Sequence, residues 1–232
     1  MKKNKLSPAA RREQNWAYIM VAPTIIGLAV LNLWPFVQTI YTSFCEHLGF
    51  GHYKFVGLAN YIEMFQTPEF WQATWNTVLF CILTVPVGLF LALLVAMLLN
   101  AKIKFKGGFR TIFFLPMVCA PAAVTMVWRF IFNGEYGILN QLFGAEIGWI
   151  TDPNFVMISC AIVAIWSNIG YDAILLLAGL QNIPKTLYEA NSIDGAGPVK
   201  QFFTITLPMV SPTLFVVMIM RPMASVPVSD LL

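Results

Sequence analysis

Charge is what this sequence has least of. Charged residues fill 11% of its 232 positions and hydrophobic ones 58%, so the chain cannot dissolve as an ordinary globular domain. Histidine is rarer still: His47 and His52 are the only two, and both lie outside the long apolar runs. No serine or cysteine in those runs has a base partner. An intramembrane protease or acyltransferase needs a nucleophile and base, or a metal cluster, at membrane depth, and neither can be assembled here. The four cysteines, Cys45, Cys81, Cys119 and Cys160, are singletons without paired spacing. That argues against a disulfide framework or a metal site, and three of them read as small apolar fillers. A phosphate loop is also missing. Gly195-Ala196-Gly197 is followed by no Gly-Lys-Ser/Thr and preceded by no strand. No metal or cofactor is expected.

What is present is apolar length. Trp16–Phe44 runs 29 residues without a charge, Thr77–Leu99 runs 23 and Thr111–Trp128 runs 18. Phe155–Leu180 is interrupted only by Asp172, and Phe202–Met220 ends at Arg221. Each can cross a hydrocarbon core of about 30 Å as a helix. The fold class is therefore all-α, a polytopic membrane protein with about five transmembrane helices. The expected spans are 16–44, 76–99, 111–132, 155–181 and 204–220, within a membrane domain over 16–220. A basic N-terminus (1–15) precedes it, the loop 182–207 lies within it, and a short tail (221–232) comes after it. The first run is too long for a signal peptide and holds Pro23 and Pro35. Prolines at 23, 35, 86, 116, 121, 208 and 212 point to kinked helices packed around a path, because a carbonyl freed in lipid must find another donor.

The few charges set an orientation. Eleven of the 14 basic residues fall before the first run or in the second and fourth connections. The third connection, 133–154, has no Lys or Arg, but holds Glu135, Glu146 and Asp152. The positive-inside rule then puts the N-terminus and the loop 182–207 in the cytoplasm. Basic residues split over three short segments make a poor nucleic-acid surface. Trp71 and Trp75 suit an interfacial belt, and a small helix is expected around Leu58–Phe65 in the first outer loop.

The loop 182–207 holds the densest chemistry. Pro184 suits a first helical turn, Lys185–Ile193 is good helix sequence, and Gly195 can supply a left-handed stop. Pro198 then opens a second short helix leading to a kink at Pro208. One reading is a rigid knob for a partner, with small Ala190 and Ala196 allowing close approach and Glu189 offering a carboxylate. The other is an interfacial helix that merely connects two spans.

Glu189-Ala190, then Asp194-Gly195-Ala196, then Ile205-x-Leu207-Pro208 resembles the coupling loop of binding-protein-dependent sugar permeases, of the maltose and glycerol-3-phosphate transporter type. The likeness continues in Val56-Gly57-Leu58-Ala59-Asn60-Tyr61, Trp128-Arg129-Phe130, Tyr136-Gly137-Ile138-Leu139-Asn140 and Ala178-Gly179-Leu180-Gln181-x-Ile183-Pro184. It implies a permease subunit of a bacterial inner-membrane importer for a sugar or related polyol. The partners it implies are an ABC ATP-binding subunit, a second permease subunit and an extracytoplasmic solute-binding protein. Glu189, Ala190, Asp194, Gly195 and Ala196 would be the ATPase-docking residues. Asn191 departs from the second alanine usual in the motif.

Asp172 is an acid inside a span, and such groups face polar interiors. With Asn168 and Tyr171 it could bind a hydroxylated solute in the path; alternatively it sits near the cytoplasmic end and pairs with a neighbouring helix. Arg129, near the outer end of the third span, suits snorkelling to the interface. Relative to the family, likeness fades at about Met218–Arg221 and a last span is missing. This implies a truncated or frame-shifted permease, with a non-transporting product or assembly partner as the alternative function.

Overall fold

The computed structural model describes residues 8–49, 51–101, 104–144 and 146–225. Lys2, Lys3, Lys5 and Lys102, and the tail beyond Ser225, lie outside the described residues. The chain forms two compact units, one up to Thr74 and one from Trp75 onward.

In the first unit, α1 (Pro8–Leu28) passes through a π-helical turn (Ala29–Leu33) into α2 (Trp34–Ser43). Pro35 accounts for the turn. Its ring crowds the carbonyl four residues back and it brings no N–H, and a wider turn just before it absorbs the misfit. The rod Ala9–Ser43 is 35 residues of largely apolar helix. Beyond it the structure adds an element that the sequence reading lacks, a hairpin of β1 (Cys45–His47) and β2 (Tyr53–Phe55) with Cys45 opposite Phe55. Gly49 and Gly51 make its turn at positive φ. The expected small helix comes next as α3 (Ala59–Gln66), and Asn60 Nδ2 donates to the Ser43 and Cys45 carbonyls, both at 3.0 Å.

α4 (Pro68–Asn100) opens in the first unit and continues as a 33-residue helix. In the second unit it shares a core with α8 (Pro153–Gln181) and α11 (Leu207–Ser225). Ala92, Ala96 and Leu99 meet Leu176, Leu177, Leu180, Val210 and Val217. Lipid tails are as apolar as leucine, so close fit and not expulsion from water holds such helices together. Fully buried Ala92, Ala96 and Ala173 are the small residues that such a fit needs.

The expected span 111–132, whose prolines point to a kink, divides into two helices, α5 (Lys106–Val118) and α6 (Pro121–Ile131), bent by 100°. Pro121 favours the break, because the residue before a proline, here Ala120, is disfavoured in the helical region. Cys119 and Ala120 are both extended, at φ −71°, ψ 141° and φ −62°, ψ 132°. At about 1.5 Å per residue neither half alone covers a 30 Å core. α5 lies against α8 at Gly170, where a Cβ would come 2.1 Å from the Phe113 carbonyl oxygen. Among the described residues four helices are long and apolar enough to cross a membrane, or five if the bent pair is one span.

The connection from α6 to α8 carries α7 (Ile138–Phe143) and is organised by Asn140. Its Nδ2 donates to the Gly134 and Ile147 carbonyls at 2.8 and 2.9 Å, and its Oδ1 accepts from Trp149 Nε1 at 2.8 Å. Trp149 in turn packs beside Phe132 and Phe155.

Candidate functional site

Two places in the second unit gather polar chemistry. The first is the loop after α8. Pro184 stands one residue ahead of α9 (Lys185–Ile193), in extended backbone, and Gly195 supplies the left-handed stop at φ 74°. α10 (Pro198–Gln201) then enters a second π-helical turn, Phe202–Thr206, placed before Pro208 as the first is before Pro35. Three side-chain bonds tie α9 to α10 and this turn. Tyr188 Oη and Thr206 Oγ1 are 2.9 Å apart, Asn191 Nδ2 donates to Thr204 Oγ1 at 3.0 Å, and Gln201 Nε2 donates to Ser192 Oγ at 2.8 Å. Each contributes about 0.5–1.5 kcal/mol, enough together to hold the short helix in one pose.

Of the five residues expected to dock a partner, Glu189, Ala190, Asp194 and Gly195 are exposed. Ala196 is buried, and its carbonyl accepts from Gln201 Nε2 at 3.2 Å. Ile193, one turn beyond Glu189 and next to Asp194 in the chain, is 87% exposed. The loop therefore presents a small acidic and apolar face on a braced helix.

The second place is buried between α4, α8 and α11. Asp172 and Arg221 form an ion pair. Arg221 Nε donates to Asp172 Oδ2, and Nη2 lies against the same oxygen. Arg221 Nη1 donates to the Thr84 carbonyl on α4 at 2.9 Å. Both side chains are about 95% buried, and a charge at that depth is tolerated only when paired and hydrogen-bonded. Gly88 makes the room, since a Cβ there would fall 1.7 Å from Arg221 Nη1.

The three residues expected on a solute path diverge. Asn168 Nδ2 donates to the Ala164 carbonyl of its own helix at 2.9 Å, Tyr171 is partly exposed, and Asp172 is engaged by Arg221. Arg221 itself was missed by sequence reasoning, which placed it at the head of the tail; α11 runs through it to Ser225. The signal was one acid and one base, each interrupting an apolar run. Among the described residues no three His, Cys, Asp or Glu side chains gather as a metal site.

Residues 68–227 match the family of binding-protein-dependent transport system inner membrane components. The chain belongs to this family. The sulfoquinovosyl glycerol transport system permease protein SmoG of Agrobacterium fabrum is 35% identical over 221 residues, covering 93% of this chain and 72% of that protein. The trehalose/maltose transport system permease protein MalF of Thermococcus litoralis is 32% identical over 237 residues, covering 100% and 80%. Among solved structures, a bacterial ABC transporter involved in import of the acidic polysaccharide alginate superposes with a TM-score of 0.74. It is 25% identical and covers 90% of this chain and 73% of that one. These relatives are transport subunits, and this multi-pass family member is a membrane transport component, not an enzyme.

Proposed function

We propose that this chain is one permease subunit of an ATP-driven importer for a sugar or related polyol. It sits in a bacterial inner membrane with its N-terminus in the cytoplasm. A second permease subunit, identical or not, completes the translocation path, and an extracytoplasmic binding protein delivers solute. The named relatives carry sugars and sugar derivatives, and one similar transporter was solved with a binding protein holding an alginate pentasaccharide. ATP is hydrolysed on a separate subunit, which docks on the loop at Glu189, Ala190, Asp194 and Gly195, with Ala196 supporting the turn from within. The observation that carries the docking reading is the exposed face of α9, presented by a helix that three side-chain bonds brace against the entry to α11. A knob so held moves its neighbours when a partner moves it.

Alternating access results if ATP-driven closure of the partners shifts the loop, re-tilts the kinked spans and so favours one cavity opening over the other. Asn168 and Tyr171 are the path residues of this reading, on the partly exposed side of α8. Asp172 shapes that helix through Arg221.

Affinity purification of a tagged chain from mild detergent tests the docking, beside a Glu189→Lys version. The expected result is an ABC ATP-binding subunit and a sister permease with the wild type, and loss of the ATP-binding subunit alone with Glu189→Lys. An ATP-binding subunit retained at full yield by the variant would remove Glu189 from the interface.

A further inference from the structure

We propose that Arg221 is a positioning residue: it anchors the far end of α11 to α4 and α8, making α11 a rigid strut from that anchor to the loop around α9. The use of such a strut rests on the docking function proposed above, but the strut itself does not.

The anchor is built for one guanidinium. Its fork reaches two helices at once, Asp172 Oδ2 on α8 and the Thr84 carbonyl on α4, which the point charge of a lysine would not do. Gly88 leaves the space that the guanidinium fills. Pro86 lacks the N–H that would reach the Ile82 carbonyl, so the α4 ladder is interrupted half a turn before Thr84. Breaking such a pair leaves an unpaired buried charge, so the three helices stay together at this depth.

The rod is continuous. From Leu207 to Arg221 the helix rises about 21 Å. Pro212 falls inside it, yet the carbonyl that this proline frees, on Pro208, accepts from Ser211 Oγ at 2.8 Å. That local repair lets the helix pass the proline without a break. At the near end, Tyr188–Thr206 and Asn191–Thr204 clamp α9 to the π-helical turn from which α11 emerges. A helix fixed at both ends transmits displacement that a loose one would absorb.

The test needs only the full chain in lipid, with the native cysteines replaced and a nitroxide at Ile193→Cys or at Leu142→Cys. Both sites are exposed, at 87% and 74%, and Leu142 lies on α7, off the strut. Arg221→Met is expected to shift the ratio of mobile to immobile spectral components at 193 by about 2- to 30-fold, and to leave 142 unchanged. Arg221→Lys should return part of the way to wild type. An unchanged spectrum at 193 overturns the proposal, and so does an equal change at both sites, which would mean general loosening. Should Arg221→Met fail to insert, the pair Asp172→Leu/Arg221→Met, which removes both buried charges, takes the same measurement. Failure of that variant to insert also overturns the strut, because the ion pair would then be only a folding requirement. Docking is read separately by ATP-binding subunit recovery, so either conclusion can fall while the other stands.

Discussion

Asp172 and Asn140 are buried polar side chains in opposite situations. Asp172 carries a charge and answers it with another charge on a distant helix. Asn140 is neutral and answers with geometry: its amide and its carbonyl oxygen together satisfy two backbone acceptors and one indole donor. Asn140→Ala would strand Trp149 Nε1 and the carbonyls of Gly134 and Ile147 in a place that is 6% exposed. The expected loss is about 1–3 kcal/mol for each group that water cannot reach. It would be read as a lowered unfolding midpoint of the purified chain, with a change in tryptophan fluorescence because Trp149 loosens. Trp149 is held from a second side, where its carbonyl accepts from Ser159 Oγ at 2.8 Å. Asn140→Asp should be no milder: it keeps the acceptor for the indole but turns a carboxylate oxygen toward the two carbonyls that the amide donates to, in a buried place.

At the scale of elements, the helices were legible because each long apolar run can be satisfied in lipid only as a helix. The loop helix α9 and its stop at Gly195 were legible from Pro184, helix-forming residues and one glycine. The full bend between α5 and α6 was not, although Pro121 was in view. A proline inside an apolar run can kink a span gently or divide it, and which occurs depends on what the halves touch. Here α5 lies along α8, where Gly170 admits the Phe113 carbonyl. Arg221 was hidden for a related reason: its partners Asp172 and Thr84 lie 49 and 137 residues away, a pairing no local pattern encodes. The hairpin was missed because six strand residues between two apolar segments read equally well as loop. Pro121→Ala separates the causes of the bend. With nitroxides at Phe109→Cys and Phe130→Cys, a continuous helix would place the backbones about 32 Å apart. The distance should lengthen toward that value if proline enforces the break. A distance equal to that of the wild type would mean that packing against α8 holds α5 in place without it.

For the whole molecule, the scarcity of charge becomes an argument about sides. The connection 133–154 has no Lys or Arg, whereas Lys185 and Lys200 flank the loop after α8. The two lie at opposite ends of the same 29-residue helix, α8. A single helix of about 43 Å that crosses the bilayer must put its ends in different compartments, so one side assignment fixes both. The positive-inside rule assigns the lysine-flanked end to the cytoplasm. Leu142→Cys and Ile193→Cys, both well exposed in the chain, make the assignment measurable in a background without native cysteines. A membrane-impermeant thiol reagent applied to intact spheroplasts should modify position 142 and spare 193, and 193 should react only after lysis. The reverse pattern would invert the protein and place the α9 face where no ATP-hydrolysing partner could reach it. Labelling at both sites before lysis would show that α8 does not span. The charge balance and the docking face are therefore one hypothesis at this scale, because a loop can receive work from ATP only on the side of the membrane where ATP is.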